Sequence, residues 1–317
     1  MANPYPPGKI SATFLDFSEK TDFYDRMLKR DLAFWQAELR DMREAGIEDV
    51  VVARTVLSGR AHYHSALLEE WDEQDAVAAV MQAAAEAGLG VYLGLLLNLS
   101  FWDRTRDFGR MLRRDLNLNR HILGEMLDAY RQHPALRGIY VTHEPDRDNV
   151  ETPARAQVLR EFLGQTYALV KSSCGLPVFC SPFFSKSLPP EALAAWWKDF
   201  LDRPMFDILA MQDGVGCAAR RGIAPEDIPP IYATLAPVLA AKGIRFWNNV
   251  ETFTIVGAGQ PLVPGPMERI DRQYELGRPF VERTITWEFG HFLGRQQAGE
   301  ERYREFARWN RGGRRSG

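Results

Sequence analysis

Two glutamates carry the strongest chemical signal in the sequence. Glu144 closes the apolar run Gly138-Ile139-Tyr140-Val141 and is followed at once by Pro145. A run with so little polar alternation suits a parallel strand covered on both faces. Proline cannot donate to a ladder and holds its predecessor in extended geometry, so Glu144 is expected at a strand's carboxyl end. Glu251 stands in the same relation to a second run, Ile244 to Asn249, which continues as Val250-Glu251-Thr252-Phe253. Parallel α/β proteins keep their chemistry at that edge. Two carboxyl groups facing one glycosidic bond can break it: one protonates the leaving oxygen, and the other attacks carbon or activates water. Taken alone, either glutamate is better explained by a solvated surface loop, but their joint placement favours chemistry.

The elements that must position them follow a regular rhythm. Strands are expected over Ile10–Asp16, Asp49–Ala53, Leu89–Leu97, the run ending at Glu144, Pro177–Ser181, Met205–Gln212, the run ending at Glu251, and Val281–Trp287. Between them lie helical patterns over Asp31–Ala45, Trp71–Ala87, Asp107–Arg131 (with a break expected near Asn117–Asn119), Pro153–Ser173, Pro190–Leu201, Ile228–Ala241, Met267–Leu276 and Glu300–Trp309. The stripe Leu32, Trp35, Leu39 and Met42 gives the first helix its buried face, and Gly46, Gly88, Gly243 and Gly277 read as helix stops. Eight alternating units imply a parallel sheet able to close on itself, a (β/α)8 TIM barrel. An open doubly wound sheet is the alternative. With no low-complexity linker, a single domain over 1–317 is expected, flexible at 1–9 and 310–317.

Closing the barrel would gather Asp16, Arg54, Asn98, Glu144, Ser181, Gln212, Asp213, Asn249, Glu251 and Trp287 at one end. The set holds carboxylates, amides and an aromatic but no lysine, which weakens a Schiff-base aldolase. Phe101-Trp102, Phe183-Phe184, Trp247, Phe253 and Trp287 lie at or just beyond strand ends. Sugar rings present apolar faces that stack on aromatic planes, so such walls suit a carbohydrate cleft. Core packing is favoured for Trp247 and for the helix-borne Trp35, Trp196 and Trp197. Arg54, Gln212, Asp213 and His143 are expected to hold the sugar or tune the carboxylates, with Arg54 keeping Glu251 ionised and Asp213 a fallback acid. Asp16, His64, Trp102, Asn249 and Trp287 complete the expected substrate-binding set.

Composition excludes several classes. The 317 residues are 45% hydrophobic and 26% charged with a formal net charge of -3, which gives no footprint for nucleic acid. No apolar run is long enough to span a bilayer, so no membrane partner is expected. Cys174, Cys180 and Cys217 are odd in number and form no CxxC, pointing to buried apolar residues in a reducing compartment. As given, the chain reads as cytoplasmic, although an exported protein lacking its leader would look the same.

Competing motifs are weaker. His62-Tyr63-His64 is similar to the His-x-His of metal-dependent amidohydrolases, but it falls past strand two instead of at the end of strand one. Of His121, His133, His143 and His291, one ends a strand, so no metal site and no cofactor are expected. A substrate-binding loop better suits His64. Gly88, Gly90 and Gly94 flank or lie within a strand and open no dinucleotide loop. The Gly257–Pro266 loop lacks lysine and arginine, which argues against phosphate. No Gly-x-Ser-x-Gly elbow is present. A barrel that binds polysaccharide without cutting it would present the same cleft.

His143-Glu144-Pro145 resembles the Asn-Glu-Pro that closes strand four in glycoside hydrolase clan A. Trp287 resembles the tryptophan that floors that clan's cleavage subsite. The chain also resembles an uncharacterised barrel family grouped with those hydrolases, the domain-of-unknown-function 4434 type. The stretches concerned are Ile10–Phe17, Gly46–Val52, Phe101-Trp102, Ile139–Glu144, Gln212–Gly216 and Trp247–Phe253, spread over nearly the whole barrel. The resemblance implies a retaining glycosidase with Glu144 as acid/base, Glu251 as nucleophile and a bacterial oligo- or polysaccharide as substrate. His143 departs from the clan's asparagine, which contacts the sugar's 2-hydroxyl; a histidine nitrogen could still donate there.

Overall fold

The computed structural model describes residues 8–18, 30–184, 186–257 and 262–312. Its centre is a closed ring of parallel strands: β1 (Ala12–Leu15), β2 (Asp49–Val52), β3 (Gly90–Gly94), β4 (Leu136–Val141), β5 (Val178–Cys180), β6 (Ile208–Gln212), β7 (Arg245–Glu251) and β8 (Arg283–Trp287). β8 returns to β1 with Ala12 opposite Ile285 and Thr13 opposite Thr286, which closes the barrel. Around it run α1 (Leu32–Glu44), α2 (Ala76–Ala87), α3 (Phe108–Tyr130), α4 (Pro153–Ser173), α5 (Pro190–Phe200), α6 (Ile228–Ala241), α7 (Met267–Gly277) and α8 (Glu300–Asn310). This is the expected (β/α)8 architecture.

Every strand is covered on both sides, which is why the sequence shows apolar runs and little alternation. Inside the ring, Phe14, Tyr92, Tyr140, Phe179 and Trp247 fill the barrel as one cluster. The Phe14–Tyr140 and Tyr140–Phe179 ring centroids are both 5.1 Å apart. Trp247, buried there, is the core residue expected of it. Side chains of opposite parity, such as Val50, Val52, Leu93 and Val250, face the helices. Local signals set the helix starts: Asp31 accepts from the Phe34 amide at 2.9 Å, and Asp75 accepts from the Ala78 amide at 2.9 Å. Thr152 caps α4 ahead of Pro153.

Three expectations are corrected. The third strand ends at Gly94 instead of Leu97; Leu96–Leu97 leaves the barrel to pair with Val56–Leu57 in a small sheet completed by Arg60–Ala61 and Glu70–Trp71. Gly94 is required where the chain turns out, because a Cβ there would sit 2.4 Å from the Val52 carbonyl oxygen. The second helix starts at Ala76, since Glu70–Trp71 belongs to that small sheet. α3 runs unbroken through Asn117–Asn119, where the buried Asn119 side chain accepts from the Leu96 amide of the small sheet at 3.1 Å. The two chain ends meet at Asn310. The Asn310 side chain accepts from the Ile10 amide at 2.7 Å and donates to the Ile10 and Ala45 carbonyls at 2.8 and 2.9 Å. The Lys9 amide donates to the Asn310 carbonyl at 2.8 Å. Residues 1–7 and 313–317 lie outside the described residues. Among the described residues, no helix is long and apolar enough to cross a membrane.

Candidate active site

Glu144, just past β4, and Glu251, the last residue of β7, line one cleft of about 320 Å³. Its walls are aromatic: Trp102, Phe183, Phe253 and Trp287. The ladder explains the grouping. Glu251 sits opposite Trp287 across β7 and β8, and Phe183 bridges to Gln212 at the end of β6. Glu144, Glu251, Trp102, Gln212 and Trp287 are therefore brought together as the strand ends suggested.

Glu144 is partly open to the cleft. The Gln212 amide nitrogen donates to its Oε1 at 3.0 Å and to the Ser181 carbonyl at 2.7 Å, which fixes the carboxyl's orientation. Burial pushes the Glu144 pKa up to about 8, against the Gln212 hydrogen bond and the Arg221 charge; Glu251 and Asp146 add to the rise. At neutral pH this carboxyl holds its proton.

Glu251 is only 3% exposed. The Cys217 amide donates to its Oε2 at 2.9 Å from the start of a single helical turn, Ala218–Arg221. Beneath it lies Asp213, fully buried, which accepts from the Gln273 amide at 2.6 Å, the Val215 amide at 3.1 Å and the Glu251 amide at 3.3 Å. Burial and then the Asp213 charge raise the Glu251 pKa to about 7, while the Cys217 amide, Arg221 and Arg269 pull it back. Asp213 is also raised, to about 6, by burial, against its three amide donors and Arg269. With three donors on it, Asp213 ionises ahead of Glu251.

Several expected contacts fall elsewhere. Arg54 does not hold Glu251 down. Its guanidinium grips Asp16 in a buried two-point ion pair, at 2.9 and 2.6 Å, and neither residue lines the cleft. Burial alone would raise the Asp16 carboxyl, but Arg54 and Ser18 hold it at about 2. His143 turns away from the cleft: consecutive residues in extended chain face opposite sides, and Glu144 takes the inner one. The His143 Nε2 lies 3.1 Å from Asp115 Oδ2, with its ring against Phe101 and Phe162. Asn249 is buried below the cleft, donating to Ser181 Oγ at 2.9 Å. Asn98 caps a 3-10 turn, Leu99–Trp102, and donates to Asp115. His64 is exposed on a loop, its ring against Trp71, while His62 is buried against Phe17, so the two histidines do not converge. Asp213, offered as a fallback acid, lies beneath Glu251 and is not among the residues that line the cleft.

The sequence did not reveal Gly214, Cys217 and Arg221, which complete the lining. All three follow β6, where backbone geometry and not residue type recruits them. Arg221 lies with its guanidinium carbon 3.8 Å from the Phe183 ring centroid. Among the described residues, no group of three His, Cys, Asp or Glu side chains could hold a metal ion.

Solved structures similar to this chain share its fold. A Bacteroides thetaiotaomicron VPI-5482 protein classed provisionally as an alpha-L-fucosidase matches with a TM-score of 0.78 at 20% identity, over 98% of both chains. A trimodular GH5_4 subfamily endoglucanase matches with a TM-score of 0.62 at 15% identity, over 97% of this chain and 61% of its own. The GH99 endo-alpha-mannosidase of a Bacteroides matches with a TM-score of 0.55 at 11% identity, over 92% of this chain and 86% of its own. No curated protein sequence matches. The family profile of the domain of unknown function DUF4434 matches residues 10–299, nearly the whole barrel, and the chain therefore belongs to that family.

Proposed function

We propose that the protein is a retaining glycoside hydrolase in which Glu144 is the acid/base and Glu251 the nucleophile. One observation carries this: two glutamates from β4 and β7 share a single aromatic-walled cleft. Their surroundings differ as the two roles require. Glu144 keeps its proton to a higher pH, so it can deliver it to the leaving oxygen as the glycosidic bond breaks. Glu251, oriented by the Cys217 amide, attacks the anomeric carbon and forms a covalent glycosyl-enzyme. Glu144, then a carboxylate, takes a proton from the water that releases the sugar. Gln212 holds its carboxyl throughout, donating to one oxygen without blocking the other. Trp102 and Trp287 supply planes for the apolar faces of the sugar rings. The likeness of the barrel to solved glycosidases supports the assignment at the level of fold. The expected substrate is an oligo- or polysaccharide.

The test is proton NMR of the first-formed product from a polysaccharide and aryl-glycoside screen, with wild type, Glu251→Gln and Glu144→Gln. Retained configuration is expected. So is loss of turnover in Glu251→Gln, and azide rescue with retention for Glu144→Gln on substrates with good leaving groups. An inverted product, or full activity in Glu251→Gln, would assign the wrong pair. Sugar binding without hydrolysis in wild type would make the cleft a carbohydrate-binding site instead.

A further inference from the structure

A second cavity of about 510 Å³, larger than the cleft, is lined in part by the Leu99–Trp102 turn. Asn98 and Ser100 of that turn line this cavity, and Trp102 lines the cleft, so the two spaces are separated by one turn of chain. The second cavity is cationic. Arg106, Arg110 and Arg114 line it, with the Ser58 and Ser100 side chains as further polar groups. Its acids are already engaged. Asp115 is buried and taken up by the Asn98 amide at 2.9 and 3.1 Å and by His143. Asp107 caps α3 by accepting from the Arg110 amide at 3.0 Å, and Arg106 is paired with Asp103 at 3.1 Å. Arg110 and Arg114 form no ion pair among the described residues. They lie one turn apart on the same helix, a like-charge spacing that costs helix stability and brings no local return. A fourth arginine, Arg221, stands exposed at the rim of the cleft and likewise forms no ion pair among the described residues.

We propose that the ligand of the cleft is an acidic polysaccharide, and that an anionic group on a sugar beyond Trp102 is held by Arg110 and Arg114. The proposal rests on the cleft being a carbohydrate site. A guanidinium grips a carboxylate, sulfate or phosphate through two parallel N–H donors. Two exposed arginines lining one cavity therefore favour such a group over a neutral sugar, which could not offset their charge. A chain stacked on Trp102 would have to cross the Leu99–Trp102 turn, whose Ser100 lines the second cavity, to reach them.

Binding is measured without turnover, by calorimetry on the Glu251→Gln protein. The probes are uronate, sulfated, phosphorylated and neutral oligosaccharides of equal length, which separates the sources of the anion. At least one acidic class should bind. Its affinity should fall about tenfold or more for each of Arg110→Gln and Arg114→Gln, and weaken as salt is raised. The Arg110→Lys, Arg114→Lys double variant should recover part of the loss. Arg113→Gln, on the same helix but outside the cavity, should change nothing. Neutral oligosaccharides binding as tightly as acidic ones, no acidic oligosaccharide binding, or acidic binding unchanged in the double glutamine variant would each overturn the proposal. Because no step requires bond cleavage, absence of hydrolysis would sink the glycosidase assignment while leaving this test intact.

Discussion

The Glu251 amide donates to Asp213 Oδ1 at 3.3 Å, so the residue that fixes the backbone of the proposed nucleophile is itself a buried acid. Asp213 has three amide donors, whereas Glu251 has the Cys217 amide on its side chain, and the negative charge settles first on Asp213. That charge is the second largest cause, after burial, of the raised Glu251 pKa.

Activity should therefore follow a narrow bell. The acid limb belongs to Glu251 losing its proton at about 7, and the alkaline limb to Glu144 losing its own at about 8. Asp213→Asn removes the charge beneath Glu251 and lowers its pKa. The acid limb should move to lower pH while the alkaline limb stays. The Gln273 amide, which also donates to the Glu251 carbonyl at 3.3 Å, would lose its Asp213 acceptor, so the variant's fold is checked by its melting curve alongside the profile. A pH–rate profile with an unmoved acid limb would show that Asp213 does not act on Glu251.

Glu144 ties the site to stability. Its carboxyl is raised from 4.5 to about 8, so the folded state holds a proton that the unfolded chain releases. That contribution is complete below about 4.5 and is lost as pH rises through about 8. Melting curves of wild type should fall across this window. Those of Glu144→Gln, which has no proton to lose, should fall less, and this variant should melt higher than wild type at the alkaline end. Parallel curves for the two proteins would place the raised pKa elsewhere.

Gly216 should prove essential without touching substrate. A Cβ there would meet the Phe253 carbonyl oxygen at 2.6 Å and the Glu251 Oε2 at 2.9 Å. Gly216→Ala must displace the carboxylate or the loop that carries Cys217. A drop in kcat of roughly a hundredfold is expected, the scale set by small misplacements of catalytic groups, with KM less affected. Crystallography of the variant would show Glu251 shifted; unchanged kcat would mean that the site tolerates the displacement.

The Asp16–Arg54 pair carries stability. Arg54→Met leaves a buried carboxylate without its partner and should cost about 3–5 kcal/mol in urea unfolding at neutral pH. In wild type, Asp16 is depressed from 3.8 to about 2, so its contribution is present above 3.8 and is lost as pH falls through about 2. The variant should lose that acid dependence.

The barrel and the two glutamates were legible because apolar runs without alternation, ended by Pro145 or by a polar turn, are what doubly covered strands require. Side-chain direction was not legible. His143 and Glu144 are neighbours in sequence, yet one packs against α3 and α4 and the other enters the cleft. Beyond the last ladder pair, nothing in residue type says which goes inward. Asp16 and Arg54 looked like separate cleft residues because each ends a strand; β1 and β2 are adjacent in the ring, so they satisfy each other. Cys217 and Arg221 carried no signal at all, since the first acts through its backbone amide and the second through the turn that aims it.

The clamp at Asn310 bears on how the protein is made. Ile10 and Asn310 are 300 positions apart, and β1 also waits for β8 before its second edge is paired. During synthesis β1 can zip to β2 early, but the growing sheet keeps two open edges, β1 and the newest strand, until Arg283–Trp287 has emerged. Open edges invite pairing with other chains, so the nascent protein is most at risk of aggregation just before the ring closes. β8 also brings Trp287 opposite Glu251. Sealing the sheet and placing the last wall of the cleft are therefore one event, and until then the two glutamates lack the tryptophan beside Glu251.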